Sequence, residues 1–485
     1  MIEGMGIGDA AAAPYEHLSR NQIEDMLDLT GYPERPGDRS MRFPGKYTDD
    51  TQMAVAVAEL LYSGKEFNRD NLTSHIYKAY HRDKRPGYSK YTTEALESPT
   101  TEEYMANIKH SDRNGAIPRN VPIGVLRNTE NVINYAIINS ELDHNTPQSI
   151  TSSVFVALAS HYMFHELGKP QNIYRFCIDK MREYHAESAF DEDTIEYLRC
   201  VSLMDEVDEN LLFGANSISH GVPVDAKRTA GAVLYILTNH SDEAYETLEE
   251  SILLGGDTDT VAATCLGMVA SWKGLEGLPK SLIDNFEDGE YGIKYLRDTG
   301  KKLATILPIE LENFERRDRP ELRKYKLTHG LDGIMQPIDM IYMVELMKRQ
   351  MEMVPYKPGD YILGIESTGY FAAAAAALAT GLKLVSAKKT DLVVPEDINV
   401  IRFEEPSSPR EKLFIYGLSP GDRVIIIDDE IRTAKTSENL YHALSEQGIE
   451  VVAIVNPIES LRYGANEKIK NLGFDLISHT KHNLP

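Results

Sequence analysis

Two acidic clusters, Thr48-Asp49-Asp50-Thr51 and Gly255-Gly256-Asp257-Thr258-Asp259-Thr260, lie far apart in this chain and constrain its fold more than any other feature. Carboxylates packed within a few ångströms repel one another and lose hydration, so a fold that gathers them needs a cation or shared protons. An oxygen-only ligand set favours Mg²⁺, Mn²⁺ or Ca²⁺ over zinc. A single Asp or Thr at such a place is equally suited to capping a helix. Two such clusters in one chain make capping alone a poor account.

The 485 residues exceed what one core normally organises, so two domains are expected. Helical spacing of apolar residues marks 52–61, 150–167, 229–237 and 259–271, and strand alternation is nearly absent before residue 311. After Pro358 the texture changes: β-rich runs at 361–365, 382–385, 423–427 and 450–455 alternate with helical stretches, which predicts a mostly parallel sheet. The alanine run at 371–378 is too short to span a bilayer and reads as a helix packed closely on that sheet. Residues 315–326, dense in charge and carrying Pro320, read as a boundary. The expected division is therefore 1–315, a connector at 316–334, and 335–485.

Lys plus Arg total 51 against 75 Asp plus Glu, a formal net charge of −24 that repels polyanions and argues against broad nucleic-acid binding. Cys177, Cys200 and Cys265 form no CxxC pair or disulfide framework, and the first residues carry no export signal. A cytoplasmic protein without a membrane partner is the expectation.

Gly6-Ile7-Gly8-Asp9-Ala10, Pro14-Tyr15-Glu16, the first Asp cluster, Asn114-Gly115-Ala116 with Arg119, Pro122-Ile123-Gly124 and the second Asp cluster occur in an order that resembles the ADP-ribosylglycohydrolase family, over roughly residues 1–310. The resemblance implies an all-α domain with two Mg²⁺ or Mn²⁺ ions that removes ADP-ribose from an acceptor. It makes Thr48, Asp49, Asp50, Asp257, Asp259 and Thr260 the metal ligands, and Glu16, Asp50 and Asp257 the catalytic candidates, with Glu16 orienting water or the leaving group. Two ions would grip ribose hydroxyls and a bound water and lower that water's pKa. By the same resemblance, the turn Asn114-Gly115-Ala116 offers backbone amides to the pyrophosphate and His144 lies near the ligand. Arg113 stands where relatives commonly have glycine.

The run 423–431 ends in Asp428-Asp429 and is followed by Thr433-Ala434-Lys435-Thr436 and a helical stretch. This order is similar to the phosphoribosyl-pyrophosphate motif of type I phosphoribosyltransferases. Gly364-Ile365-Glu366-Ser367-Thr368-Gly369-Tyr370 with Lys388-Lys389 resembles their adenine-type branch. The implied domain is α/β and binds phosphoribosyl pyrophosphate with Mg²⁺ and a nucleobase; a homodimer through it is compatible with that reading. Asp428 and Asp429 would accept from ribose hydroxyls, 433–436 would hold the 5′-phosphate, and Glu366, Ser367, Lys388 and Lys389 would line the pyrophosphate side. Ala434 replaces the loop's usual glycine and Thr368 a usual arginine. Activity with altered specificity and nucleotide sensing without turnover both follow from these departures.

Overall fold

Gly4 and Gly8 decide how the first helix is seated. A Cβ at Gly4 would lie 2.5 Å from Ala270 Cβ, and one at Gly8 would lie 2.5 Å from the Ala262 carbonyl oxygen. The Ile2–Ala12 helix therefore lies directly against the Thr258–Lys273 helix, and nearly all of both is buried. This contact brings the chain's start to the helix that opens with the second acidic cluster.

In the computed structural model the described residues are 1–33, 44–184, 190–214, 221–307, 309, 311–315, 325–335, 337–404 and 412–484. The chain divides into two units, Met1–Leu307 and Pro308–Pro485. Among the described residues the first contains helices and isolated bridges (Arg113 with Asp225, Val222 with Gly256) but no extended strand. The predicted helices are Asp49–Tyr62, Pro147–Phe164, Ala226–Asn239 and Thr258–Lys273. Apolar or small residues cover every side of the Pro147–Phe164 and Thr258–Lys273 helices, as suits helices enclosed by others.

The second unit is built on a six-stranded sheet in the order Val400–Glu404, Lys412–Tyr416, Lys383–Lys388, Tyr361–Ile365, Arg423–Ile427, Glu450–Val455. The last four pair in parallel and the first two join antiparallel. Those two antiparallel strands were not anticipated from the sequence. Period-2 alternation decides the layers. Ile425 and Ile427 face the Met340–Met351 and Gly369–Thr380 helices, while Val424 and Ile426 face the Lys435–Glu446 helix. The alanine run packs closely, since a Cβ on Gly364 of the sheet would sit 2.7 Å from Ala373 Cβ.

The division falls at Leu307/Pro308 rather than at 315/316. Leu311–Glu315 pairs antiparallel with Tyr325–His329 and so belongs to the second unit. Of the expected connector, 316–324 lie outside the described residues. No helix among the described residues is long and apolar enough to cross a membrane.

Candidate active site

The Asp49–Tyr62 helix is capped from outside itself. Thr48 holds the N-cap position without a side-chain cap bond. Instead Asp9, on the first helix, accepts from the Thr48 amide (2.9 Å), the Thr51 amide (3.1 Å) and the Thr51 hydroxyl (2.6 Å). Asp9 thus satisfies amides that Thr48 or Asp49 would otherwise serve, leaving the cluster's side chains for other work. Burial pushes the Asp9 carboxyl up to about 6, against the opposing effect of these hydrogen bonds. Thr48 is fully buried beside Asp9.

The second cluster is placed by its glycines. Gly255 and Gly256 adopt φ of 69° and 76°, and a Cβ at Gly256 would lie 2.1 Å from the Val222 carbonyl oxygen. The Gly256 amide donates to Leu18 and the Asp257 amide to Val222, both at 2.9 Å, while the His17 amide donates to the Gly256 carbonyl. Segment 16–18 is therefore held beside the cluster, with one carboxylate oxygen each of Glu16, Asp257 and Asp259 within 4.8 Å of one another. Asp257, like Thr48, occupies an N-cap position without making the cap bond.

The two clusters meet at Thr260, whose Oγ1 lies 2.7 Å from Asp50 Oδ2 and 3.1 Å from Asp257 Oδ1. Asp49, Asp50, Asp257, Asp259, Thr260 and Glu16 line one cleft of about 360 Å³, with Thr48 fully buried outside its lining. Burial first, then neighbouring carboxylates, pushes the Asp49, Asp50 and Asp259 carboxyls well above their ordinary range.

Asn114 and Gly115 line the cleft, whereas Ala116 is buried outside its lining. The Asn114 side chain donates to Asp257 Oδ2 and, at 2.9 Å, to Thr229 Oγ1, so it orients a carboxylate. His144 also lines the cleft, its ring packed on Gly115, and Arg113 is another lining residue. Sequence reasoning quoted Asp9 in the Gly6-Ile7-Gly8-Asp9-Ala10 motif without giving it a role, and missed Gly87. Gly87 has φ of +104°, and a Cβ there would lie 1.9 Å from Asp49 Oδ1. Pro86-Gly87, a turn signature, was the available signal for the second.

In the second unit Asp428 and Asp429 follow the Arg423–Ile427 strand. Gly369, which opens the Gly369–Thr380 helix, lies so close that a Cβ there would be 2.4 Å from Asp428 Oδ1. Asp429 Oδ2 is 3.1 Å from His329 Nε2, a residue no motif singled out. The Leu331 amide donates to His329 Nδ1, so Nε2 carries the proton and donates to Asp429. Burial alone would raise the Asp429 carboxyl, but hydrogen bonds from His329 and its neighbours hold it at about 2.

Glu366 Oε2 accepts from the Lys389 amide at 2.5 Å, joining those two segments, while Ser367, Lys388 and Lys389 are exposed. In the loop, Thr433 and Lys435 are exposed and Thr436 is half-buried. Ala434 adopts the left-handed conformation (φ 57°), as glycine would, and Lys435 Nζ reaches Glu438 at 3.3 Å.

A family model described as ADP-ribosylglycohydrolase matches residues 1–312. ADP-ribosylhydrolase ARH3 of Xenopus tropicalis is 24% identical over 341 residues, 64% of this chain and 95% of that protein. A hypoxanthine/guanine phosphoribosyltransferase of Methanosarcina barkeri is 30% identical over 130 residues, 27% of this chain and 67% of its own length. A solved ADP-ribosylglycohydrolase-related protein complex aligns at 19% identity with TM-score 0.46, covering 62% of this chain and 95% of that one. The chain belongs to the ADP-ribosylglycohydrolase family and carries a phosphoribosyltransferase-related unit fused behind that region.

Proposed function

We propose that the first unit hydrolyses an ADP-ribosyl glycosidic bond with the help of divalent cations, and that the second transfers phosphoribose between phosphoribosyl pyrophosphate and a nucleobase. The observation that carries the hydrolase reading is the gathering of the buried Asp49, Asp50 and Asp259 carboxyls, which burial and one another's charge push well above their ordinary range. That donor set fits two Mg²⁺ or Mn²⁺ ions held by Thr48, Asp49, Asp50, Asp257, Asp259 and Thr260. When bound, such ions supply Lewis-acid polarisation and an acidified water.

The protein's own contribution is orientation and proton handling. Thr260 joins Asp50 to Asp257, Asn114 fixes the other oxygen of Asp257, and Asp9 holds the start of the Asp49–Tyr62 helix. Glu16 stands beside Asp257 and Asp259 at the cleft wall, placed to take a proton from water or return one to the leaving group. We place the protein in the cytoplasm, in keeping with its three free thiols, two of them buried.

The test is purified protein with Mg²⁺ or Mn²⁺ against arginine-, serine- and nucleobase-linked ADP-ribose and small ADP-ribose derivatives, with free ADP-ribose followed by mass spectrometry. Failure to release it from every substrate overturns the reading. For the second unit, a rival reading of ligand sensing without turnover is favoured by Asp429, which already spends one oxygen on His329. Transfer of label from phosphoribosyl pyrophosphate to adenine, hypoxanthine or guanine decides between them: mononucleotide formation defeats the sensor, and binding without transfer defeats the transferase.

A further inference from the structure

The wall of the first cleft contains a buried ion pair behind His144 that the hydrolase reading does not use. Arg119, at the end of the Ala116–Arg119 helix, is completely buried. Its Nη1 is 3.1 Å from Asp143 Oδ2, its Nη2 donates to Asp143 Oδ1, and Nη2 also donates to the Asn139 carbonyl at 2.8 Å. Asp143 Oδ1 is in turn 2.6 Å from His144 Nδ1. Backbone bonds hold both residues: the His144 amide donates to the Ser140 carbonyl at 2.8 Å and the Ser111 amide to the Asp143 carbonyl at 2.9 Å.

The order of charges dictates the tautomer. Arg119 is donor-only, so it demands an ionised, acceptor-only carboxylate. Burial by itself would raise the Asp143 carboxyl, but Arg119 and His144 hold it well below the usual range. Nδ1 of His144 must then carry the proton, leaving Nε2 with a lone pair in the neutral ring. Nε2 lies at the Gly115 side of the cleft, 3.1 Å from where a Cβ on Gly115 would be, and accepts no hydrogen bond from any described residue. Gly115 lacks the atom that would close off this edge.

We propose that Arg119 and Asp143 are positioning residues that fix His144 as the Nδ1–H tautomer and present Nε2 to the cleft as the acceptor for a substrate hydroxyl. The inference rests on the hydrolase reading for the identity of the substrate, and on geometry alone for the tautomer.

The experiment separates the two. In protein labelled with ¹⁵N-histidine, the His144 resonances, assigned by their loss in His144→Ala, report which ring nitrogen is protonated. Wild type is expected to show Nδ1–H. In the double variant Arg119→Met/Asp143→Leu the acceptor that holds the Nδ1 proton is gone and the ring is expected to go to the Nε2–H form; the variant leaves no unpaired buried charge, which guards against loss of folding. Nε2–H in wild type, or Nδ1–H unchanged in the double variant, overturns the relay.

Calorimetric binding of ADP-ribose in Mg²⁺ is the second arm. Arg119→Met/Asp143→Leu is expected to weaken binding at least about tenfold, as loss of the supporting partners of a site histidine does. Because the pair acts through His144, that double variant should add nothing to His144→Ala. Additive losses overturn the positioning role, which a merely structural aspartate would give. Absence of ADP-ribose binding by wild type sinks the substrate assignment instead, and the tautomer result then decides the relay alone.

Discussion

Thr260 Oγ1 lies 2.7 Å from Asp50 Oδ2, and this contact unites two acidic clusters 210 residues apart in the chain. It holds together groups whose charges would drive them apart, because the Thr258–Lys273 helix is pinned by the first helix and the Asp49–Tyr62 helix by Asp9.

Removing one of these charges should separate stability from activity. Asp50→Asn keeps the acceptor for Thr260 and deletes a buried charge, so the metal-free variant should be more stable than wild type by about 1–2 kcal/mol, while ADP-ribose release falls on the order of 100-fold or more. Thermal unfolding with and without Mn²⁺ reads this directly. A wild-type midpoint insensitive to Mn²⁺, or a variant less stable than wild type without metal, counts against the ligand assignment.

Gly87→Ala tests the wall of the same site. Its Cβ would meet Asp49 Oδ1 at 1.9 Å in a backbone conformation that disfavours side chains, so Asp49 has to move. Mn²⁺ affinity should drop about 10–100-fold, with a stability cost of about 1–2 kcal/mol. An unchanged Mn²⁺ titration would show that Asp49 binds no metal.

His161 should make the first unit acid-sensitive. It is 4% exposed, its Nδ1 donates to the Leu126 carbonyl at 2.8 Å, and burial followed by the nearby His165 charge lowers its pKa from 6.5 to about 4. The fold thus favours the neutral ring while the unfolded chain takes up a proton first. The contribution is fully present above 6.5 and is lost as pH falls through that value towards 4, up to about 3 kcal/mol in all. His161→Gln should therefore lose less stability than wild type between pH 7 and pH 5 in urea unfolding. Parallel pH profiles would refute the assignment.

Ala434→Gly should stabilise the second unit. Ala434 adopts φ 57°, where an L side chain costs about 1–2 kcal/mol and glycine does not, partly offset by glycine's greater freedom when unfolded. A gain of about 0.5–1 kcal/mol is expected in that unit's denaturant midpoint. A lowered midpoint would mean that the methyl's packing outweighs its strain.

Much of the architecture was legible in the chain. Helical spacing placed the Asp49–Tyr62, Pro147–Phe164 and Thr258–Lys273 helices, and the βα rhythm after Pro358 announced the parallel strands, because both periodicities are local and repeat over many residues. The two antiparallel strands Val400–Glu404 and Lys412–Tyr416 escaped because their pairing is with each other and with Lys383–Lys388, which no local pattern records. The unit boundary was misplaced for the same reason, since Leu311–Glu315 is recognisable as a strand only beside Tyr325–His329.

The sequence by itself displayed the candidates for chemistry: two runs of hard oxygen donors, and a strand that ends in paired carboxylates before a short loop. Only the tertiary structure decided what those residues are free to do. Asp9 takes over the capping of Thr48 and Thr51, Gly87 leaves room for Asp49, Arg119 and Asp143 orient His144, and His329 claims an oxygen of Asp429. Each is a residue to which no motif assigned a role. Its role depends on hydrogen bonds and van der Waals contacts that exist only over a few ångströms, between segments the chain brings together after it has folded.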